Sequence, residues 1–354
     1  MSVASEISFS QCLAGIAAGA TGLDRTPRFP GEAMHALAAA GVTALTVPDE
    51  SGLSPTAVGA QWATLRAVAR ADGSVGRILD GHLNAVERIA LLAPEPLRSE
   101  HLLAVRTGEL LLGVWGADPA PGEGEPARLD PGGRSISGVK VFCSGAGGLD
   151  AALVLVRGPE PGPPLLAYVD LTEGVEVDRG WYRAEGMRAS ESHRVVLDSA
   201  PLHALLGEPG ELGREPWLGR DAIRTAACWA GLIDALREEA LEALRARPAE
   251  DQLAALAAGR LRAFGGTVDA WLARAADRLE REPAAPTSGL SVELRAAVAH
   301  AGHASVAEAL RALGSRPLAS GGRLDRARRD LELFLNQHRL EPLLTRLGRS
   351  ELDR

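Results

Sequence analysis

Cysteine is scarce in this chain. Its three residues, Cys12, Cys143 and Cys228, stand far apart with no C-x-x-C pair, which argues against both a disulfide framework and a structural zinc site. Long apolar runs are missing too: none approaches the roughly 18 residues of a membrane-crossing helix. The start of the sequence carries no basic segment followed by an apolar core. Positive charge is not in excess, since the formal net charge is −8. A nucleic-acid face would be basic, so that class of partner is set aside. Aromatic residues make up only 4%, and Ala, Leu, Arg and Gly dominate. These shortages predict a reduced, soluble, cytoplasmic protein with neither membrane nor nucleic acid as partner.

What is present fits a globular chain of two to three domains: 354 residues, 46% of them hydrophobic and 24% charged. Residues 1–109 read as an N-terminal helical domain. Phe29 to Gly41 looks like a helix started by proline and stopped by glycine, followed by a short extended connection over Val42–Gly52. Apolar residues then recur at three- and four-residue spacing over Thr56–Ala71 and Ser74–Leu92, with Asp72 placed to cap the second of these. Residues 204–354 return to helix, over Gly219–Arg247, Asp251–Glu282, Val292–Leu313 and Arg323 to about Leu347, which suggests a four-helix bundle. The basic run Arg323–Asp330 is interleaved with acids and reads as a solvated helix face.

Between them, residues 110–203 carry the strand signal. Leu110–Trp115 is a buried-strand candidate that runs into a Gly- and Pro-rich loop. Arg128–Lys140 suggests a hairpin turning at Pro131-Gly-Gly133. Val139 and Val141 enter a glycine-rich turn, Ala151–Val156 leaves it, and His193–Asp198 alternates as a further strand. The turn Gly145-Ala-Gly-Gly148 opens a strand rather than a helix, so it is not a dinucleotide-phosphate loop. The overall class is α+β: helices, a small β-barrel or sandwich, then helices.

Particular phrases in this order resemble the acyl-CoA dehydrogenase superfamily. They are Gly138-Val-Lys-Val-Phe-Cys-Ser144 with Asp150 to Arg157, Gly186-Met-Arg-Ala-Ser190 with Val195 to Asp198, Leu37 to Gly52, and the pair Arg329-Asp330. The resemblance spans roughly residues 30–340 and implies FAD held between the β domain and the bundle. It further implies an acyl thioester oxidised at its CH–CH bond, and a homo-oligomer, dimer or tetramer. By family position Trp115, Gly116 and Ala117 with Phe142, Cys143 and Ser144 would line the isoalloxazine ring. Physically that suits a flavin, which needs an apolar wall, donors at its polar edge and shelter from water. On the residues alone, Trp115 and Phe142 read rather as core aromatics and Ser144 as a residue that opens a turn. Arg247 and Gln252 stand where family members meet the cofactor pyrophosphate, but the Phe-Gly pair of that turn is missing.

The pattern departs from the dehydrogenases where their base should be. The two positions that carry the catalytic Glu in family members fall on Gly321 and Ile223, and Asp325 and Asp221 lie nearby at unsuitable helical spacing. Flavin-dependent monooxygenases of the same superfamily lack that base, and are similar in carrying a hydroxyl near flavin N5 and a His after the Arg-Asp pair. Ser144 and His338 are the candidates, and a His suits proton transfer near neutrality. His82 is a further pocket candidate. His300 and His303 share a helix face without a Glu partner, so no metal site is expected. A non-catalytic subunit without a base is the third reading.

Overall fold

Ser8 caps the first helix, α1 (Phe9–Arg25): its hydroxyl accepts the Gln11 N–H while the Gln11 side chain accepts the Ser8 N–H. Reciprocal capping satisfies two of the donors that a helix start leaves over. The computed structural model describes residues 8–49, 52, 54–319, 321–337 and 339–353. Next, α2 (Gly31–Ala39) follows Pro30 and stops before Gly41, whose φ of 73° is left-handed. The segment beyond it, expected to be extended, instead makes a 3-10 turn over Val42–Ala44. That turn delivers the Thr43 carbonyl to a buried ring nitrogen of His82. Then come α3 (Val58–Ala71), α4 (Gly73–Leu92) and α5 (Leu97–Thr107). Asp72 accepts the Val75 N–H at 3.1 Å, the capping expected of it.

Seven strands follow: β1 (Leu112–Trp115), β2 (Arg128–Leu129), β3 (Ser135–Cys143), β4 (Ala151–Val156), β5 (Leu165–Asp170), β6 (Val175–Asp178) and β7 (His193–Leu206). They form one sheet in the order β1-β4-β5-β7-β3-β2, with β6 also on β7. Among the ladders of the described residues, only β1–β4 is parallel. The long β7 serves both halves of the sheet. Its residues His193–Pro201 pair with β3, and Leu202–Leu206 pair with β5. Within the first stretch Ser199 takes a left-handed φ of 54° and its N–H reaches Ser137 Oγ at 3.1 Å. Gly138 has φ 127°, and a Cβ there would sit 2.7 Å from Ala127 Cα. Glycine is therefore required where β3 passes the Pro126–Ala127 segment. Leu112, Leu153, Leu166, Tyr168 and Leu206 pack with Val86, Ile89 and Val105 of α4 and α5 into one core. Each such side chain contributes about 1.5–3 kcal/mol by leaving water.

The chain divides into two units. The first runs to Thr56 and adds Arg77–Arg183 and Arg188–Arg214; the second takes Ala57–Gly76, Ala184–Met187 and the chain from Glu215 onward. The second unit contains α3, α6 (Trp217–Arg245), α7 (Gln252–Arg281), α8 (Ser288–Leu313), the single-turn α9 (Arg316–Ala319), α10 (Arg323–Leu335) and α11 (Glu341–Leu352). The last stretch, expected as one helix, is two. It breaks after Leu335 and restarts at Glu341, with Pro342 in the first turn. Within this unit α6 packs on α3, α8 and α10. Arg66 of α3 forks onto Asp234 of α6, at 2.6 and 3.0 Å, and bonds Asp269 of α7 at 2.7 Å.

Candidate functional site

Lys140 explains how the two predicted ring-lining segments come together in the β-rich unit. It is 1% exposed, and its ammonium donates to the Gly116 carbonyl at 3.2 Å and to Asp118 at 2.8 Å. The Val141 N–H adds a bond to the Ala117 carbonyl. So the turn leaving β1 is pinned against β3, with Gly116 and Ala117 exposed. The Trp115 indole donates to the Ser144 carbonyl at 3.2 Å, tying the end of β1 to the turn that ends β3.

The six predicted lining residues are thus neighbours, but they present different faces. Trp115 (1% exposed) and Cys143 (0%) bury their side chains in the core, and burial pushes the Cys143 thiol pKa up. Phe142 is the reverse. It has a left-handed φ of 53°, is 55% exposed, and meets the edge of Trp181 with ring centroids 4.9 Å apart. A bulky residue held at positive φ is unusual and is a sign of constraint. Ser144 is half-buried, and its hydroxyl shares a hydrogen bond with Ser192 at 2.9 Å, which in turn bonds Ser190 at 2.8 Å.

Beside this turn lies a charged group that sequence reasoning passed over. Glu191, at φ 49°, is 2.5 Å from Arg179 and 3.3 Å from His193 Nε2. Burial works to raise the Glu191 pKa, but the neighbouring His193 and Arg179 hold the carboxyl below its usual range. Trp181, which donates to Glu123 at 3.1 Å, likewise has no role that the sequence pattern discloses. The run Glu191-Ser-His193 next to a strand start was the available signal.

The remaining candidates are placed elsewhere. His82 is fully buried: its Nε2 bonds the Thr43 carbonyl and its Nδ1 accepts the Leu112 N–H, both at 3.0 Å. It is a structural clasp rather than a pocket residue. Arg247 donates to the Ala312 carbonyl at 2.8 Å and to Asp251 at 3.4 Å, while Asp251 caps α7 and Gln252 is exposed on its first turn. His300 and His303 are exposed. His338 lies outside the described residues. Of the two expected base positions, Ile223 is fully buried and Gly321 has φ 59°. Asp221 pairs with Arg224 at 3.4 Å. For Asp325 burial works to raise the pKa, but bonds from Arg328 and Arg329 outweigh it and hold the carboxyl below its ordinary value.

Residues 12–109 match the family model for the acyl-CoA dehydrogenase N-terminal domain. The butyryl-CoA dehydrogenase of Megasphaera elsdenii superposes with a TM-score of 0.84 at 17% identity, covering 97% of each chain. Residues 12–109 thus carry the sequence pattern of that N-terminal domain, and the chain as a whole shares the fold of this dehydrogenase. The α+β architecture of helices, central sheet and helices is the same in both. Another member of this fold, FMN-bound TdsC from Paenibacillus sp. A11-2, superposes with a TM-score of 0.80 at 21% identity, covering 98% of this chain and 96% of that one. A dibenzothiophene monooxygenase of Rhodococcus erythropolis is 31% identical over 196 residues, 50% of this chain. The match spans 43%, less than half, of that protein's length.

The exposed surface of the turn offers what a planar ring needs. Phe142 and Trp181 offer an apolar wall, the Ser144 hydroxyl a donor or acceptor, and Gly116 a backbone open to close approach. A Cβ on Gly116 would meet only Leu155, at 3.5 Å.

Proposed function

We propose that this chain is a flavin-dependent monooxygenase that binds reduced FMN and oxygenates a small sulfur-bearing organic molecule. One observation carries the choice over dehydrogenation: neither of the two family positions of the catalytic base holds a carboxylate. Ile223 and Gly321 occupy the two family positions, and Asp325 is bound by two arginines that keep it a poor base. The expectation of acyl-thioester oxidation has no such residue to rest on. The names of similar proteins, a dibenzothiophene monooxygenase and an FMN-bound homologous fold, support the same reading. FMN is favoured over the FAD implied by the family resemblance because the Arg247 guanidinium is engaged at Ala312 and Asp251. A homo-oligomer remains part of this proposal.

A bound reduced flavin would supply two electrons, so that one atom of dioxygen enters the substrate and the other leaves as water. The chain's own work is positioning. Phe142 and Trp181 would form the ring's apolar wall, and Gly116–Ala117 would let the backbone approach it. Ser144, oriented by Ser192, would hold a proton near the ring nitrogen. Oxygen uptake with chemically reduced FMN, in the presence of dibenzothiophene as probe, tests the reading. Substrate-dependent uptake with sulfoxide formation supports it. Anaerobic bleaching of bound oxidised flavin by butyryl-CoA would restore the dehydrogenase reading.

A further inference from the structure

Arg295 lies within α8 and is 7% exposed, yet no acceptor among the described residues reaches it. Its guanidinium carbon stands 5.9 Å from the centre of the Trp229 ring on α6, and its Nε has no hydrogen-bond partner. The same holds for the indole Nε1 of Trp229, which is completely buried. A guanidinium cannot shed its charge at physiological pH. Removing one from water without a countercharge is strongly unfavourable, and a cation–π contact offsets only a small part of that.

The buried and half-buried carboxylates of the same unit are committed elsewhere. Asp221 pairs with Arg224, Asp234 with Arg66 and Arg237, and Glu308 with Arg311 and Arg260. Asp325 holds Arg328 and Arg329, while Asp330 accepts the Met187 N–H. What this level of the bundle offers is therefore a fixed positive charge and two orphaned donors against an aromatic surface. Phe334 extends that surface, edge-on to Trp229 at 6.3 Å.

We propose that Arg295 and Trp229 form a binding site for a small oxyanion, either inorganic or the carboxylate, sulfinate or sulfonate end of an organic molecule. The planar fork of Arg295 matches two oxygens of such a group. The Trp229 N–H adds a neutral donor, and the two rings accept an apolar tail. This goes beyond the flavin reading and stands without it.

The test is thermal unfolding of the full-length, flavin-free protein titrated with millimolar sodium sulfate and, separately, sodium methanesulfonate. A saturable rise in Tm is expected, because a ligand that binds only the folded state stabilises it. In Arg295→Met the apparent affinity falls by about tenfold or more, as loss of a charge-assisted hydrogen bond requires. Trp229→Phe keeps the ring, loses the N–H and falls between the two, which keeps the test decisive if Arg295→Met does not fold. Response to both anions marks an inorganic-anion site, and response to methanesulfonate alone marks the acid end of an organic ligand. Equal shifts in all three proteins, or none in the unsubstituted one, overturn the proposal and leave the flavin reading untouched.

Discussion

Asp330 Oδ1 accepts the backbone N–H of Met187 at 2.5 Å, joining two sequence phrases that lie 143 residues apart. Met187 holds a left-handed φ of 53°, and a Cβ on Gly186 would sit 2.2 Å from the Arg329 carbonyl oxygen. Arg329 in turn donates to the Glu185 carbonyl. The Arg-Asp pair is thus a clamp on the Glu185–Met187 turn. Asp330→Ala leaves a buried N–H without its acceptor and is expected to cost about 1–3 kcal/mol. Asp330→Asn keeps an acceptor oxygen and loses less. Urea unfolding of the two variants checks the order, and equal losses would contradict the clamp.

The helices and the strand Ala151–Val156 were legible because their apolar spacing is regular and their ends carry Pro, Gly or Asp. Leu165–Asp170 and Val175–Asp178 were passed over, although the first is a short apolar run bounded by Gly-Pro-Pro and by Thr-Glu-Gly. Residues Trp115–Ala117 and Phe142–Ser144 could be named from the family phrases. Which of their side chains face outward could not, because the left-handed Phe142 breaks the alternation that a strand would impose. Nor could the clasp role of His82 or the unpaired burial of Arg295, since both depend on partners distant in sequence.

Stability should fall on acidification through His82. Its Nδ1 can accept the Leu112 N–H only while the ring is neutral, and burial lowers its pKa from 6.5 to about 4. Between those values the unfolded chain binds the proton and the folded chain does not. The contribution is therefore complete above about pH 6.5 and is lost progressively down to about pH 4. At pH 4.5 the loss attributable to this residue is roughly 2–3 kcal/mol. His82→Gln removes that titration, so the gap between its unfolding free energies at pH 7.5 and 4.5 should be smaller by that amount. An unchanged gap would mean the ring is not held neutral.

Ser144 should matter to chemistry and little to folding. Its hydroxyl is half-buried and bonded to Ser192, which keeps Ser190 as a second partner. Ser144→Ala is expected to lower turnover with reduced FMN by about a hundredfold, the scale of removing one oriented donor. Its Tm should stay within a few degrees of the parent. Ser144→Thr retains the hydroxyl and should recover most of the rate. A Thr variant as slow as the Ala variant would assign the effect to packing.

Gly231 sets how closely α3 and α6 approach, and its replacement tests that packing directly. A Cβ there would lie 2.3 Å from the Arg66 carbonyl oxygen and 2.8 Å from the Arg70 N, both backbone atoms that cannot swing aside. Gly to Ala at an unconstrained helix position normally stabilises, by up to about 1 kcal/mol. Here the helices must separate, which also strains the Arg66–Asp234 fork at 2.6 and 3.0 Å. Gly231→Ala is therefore expected to destabilise by about 1–3 kcal/mol, the usual cost of overpacking. Gly259→Ala, on α7 with open space around it, supplies the control and should be neutral or stabilising. If both substitutions stabilise to the same degree, the close contact between α3 and α6 is wrong.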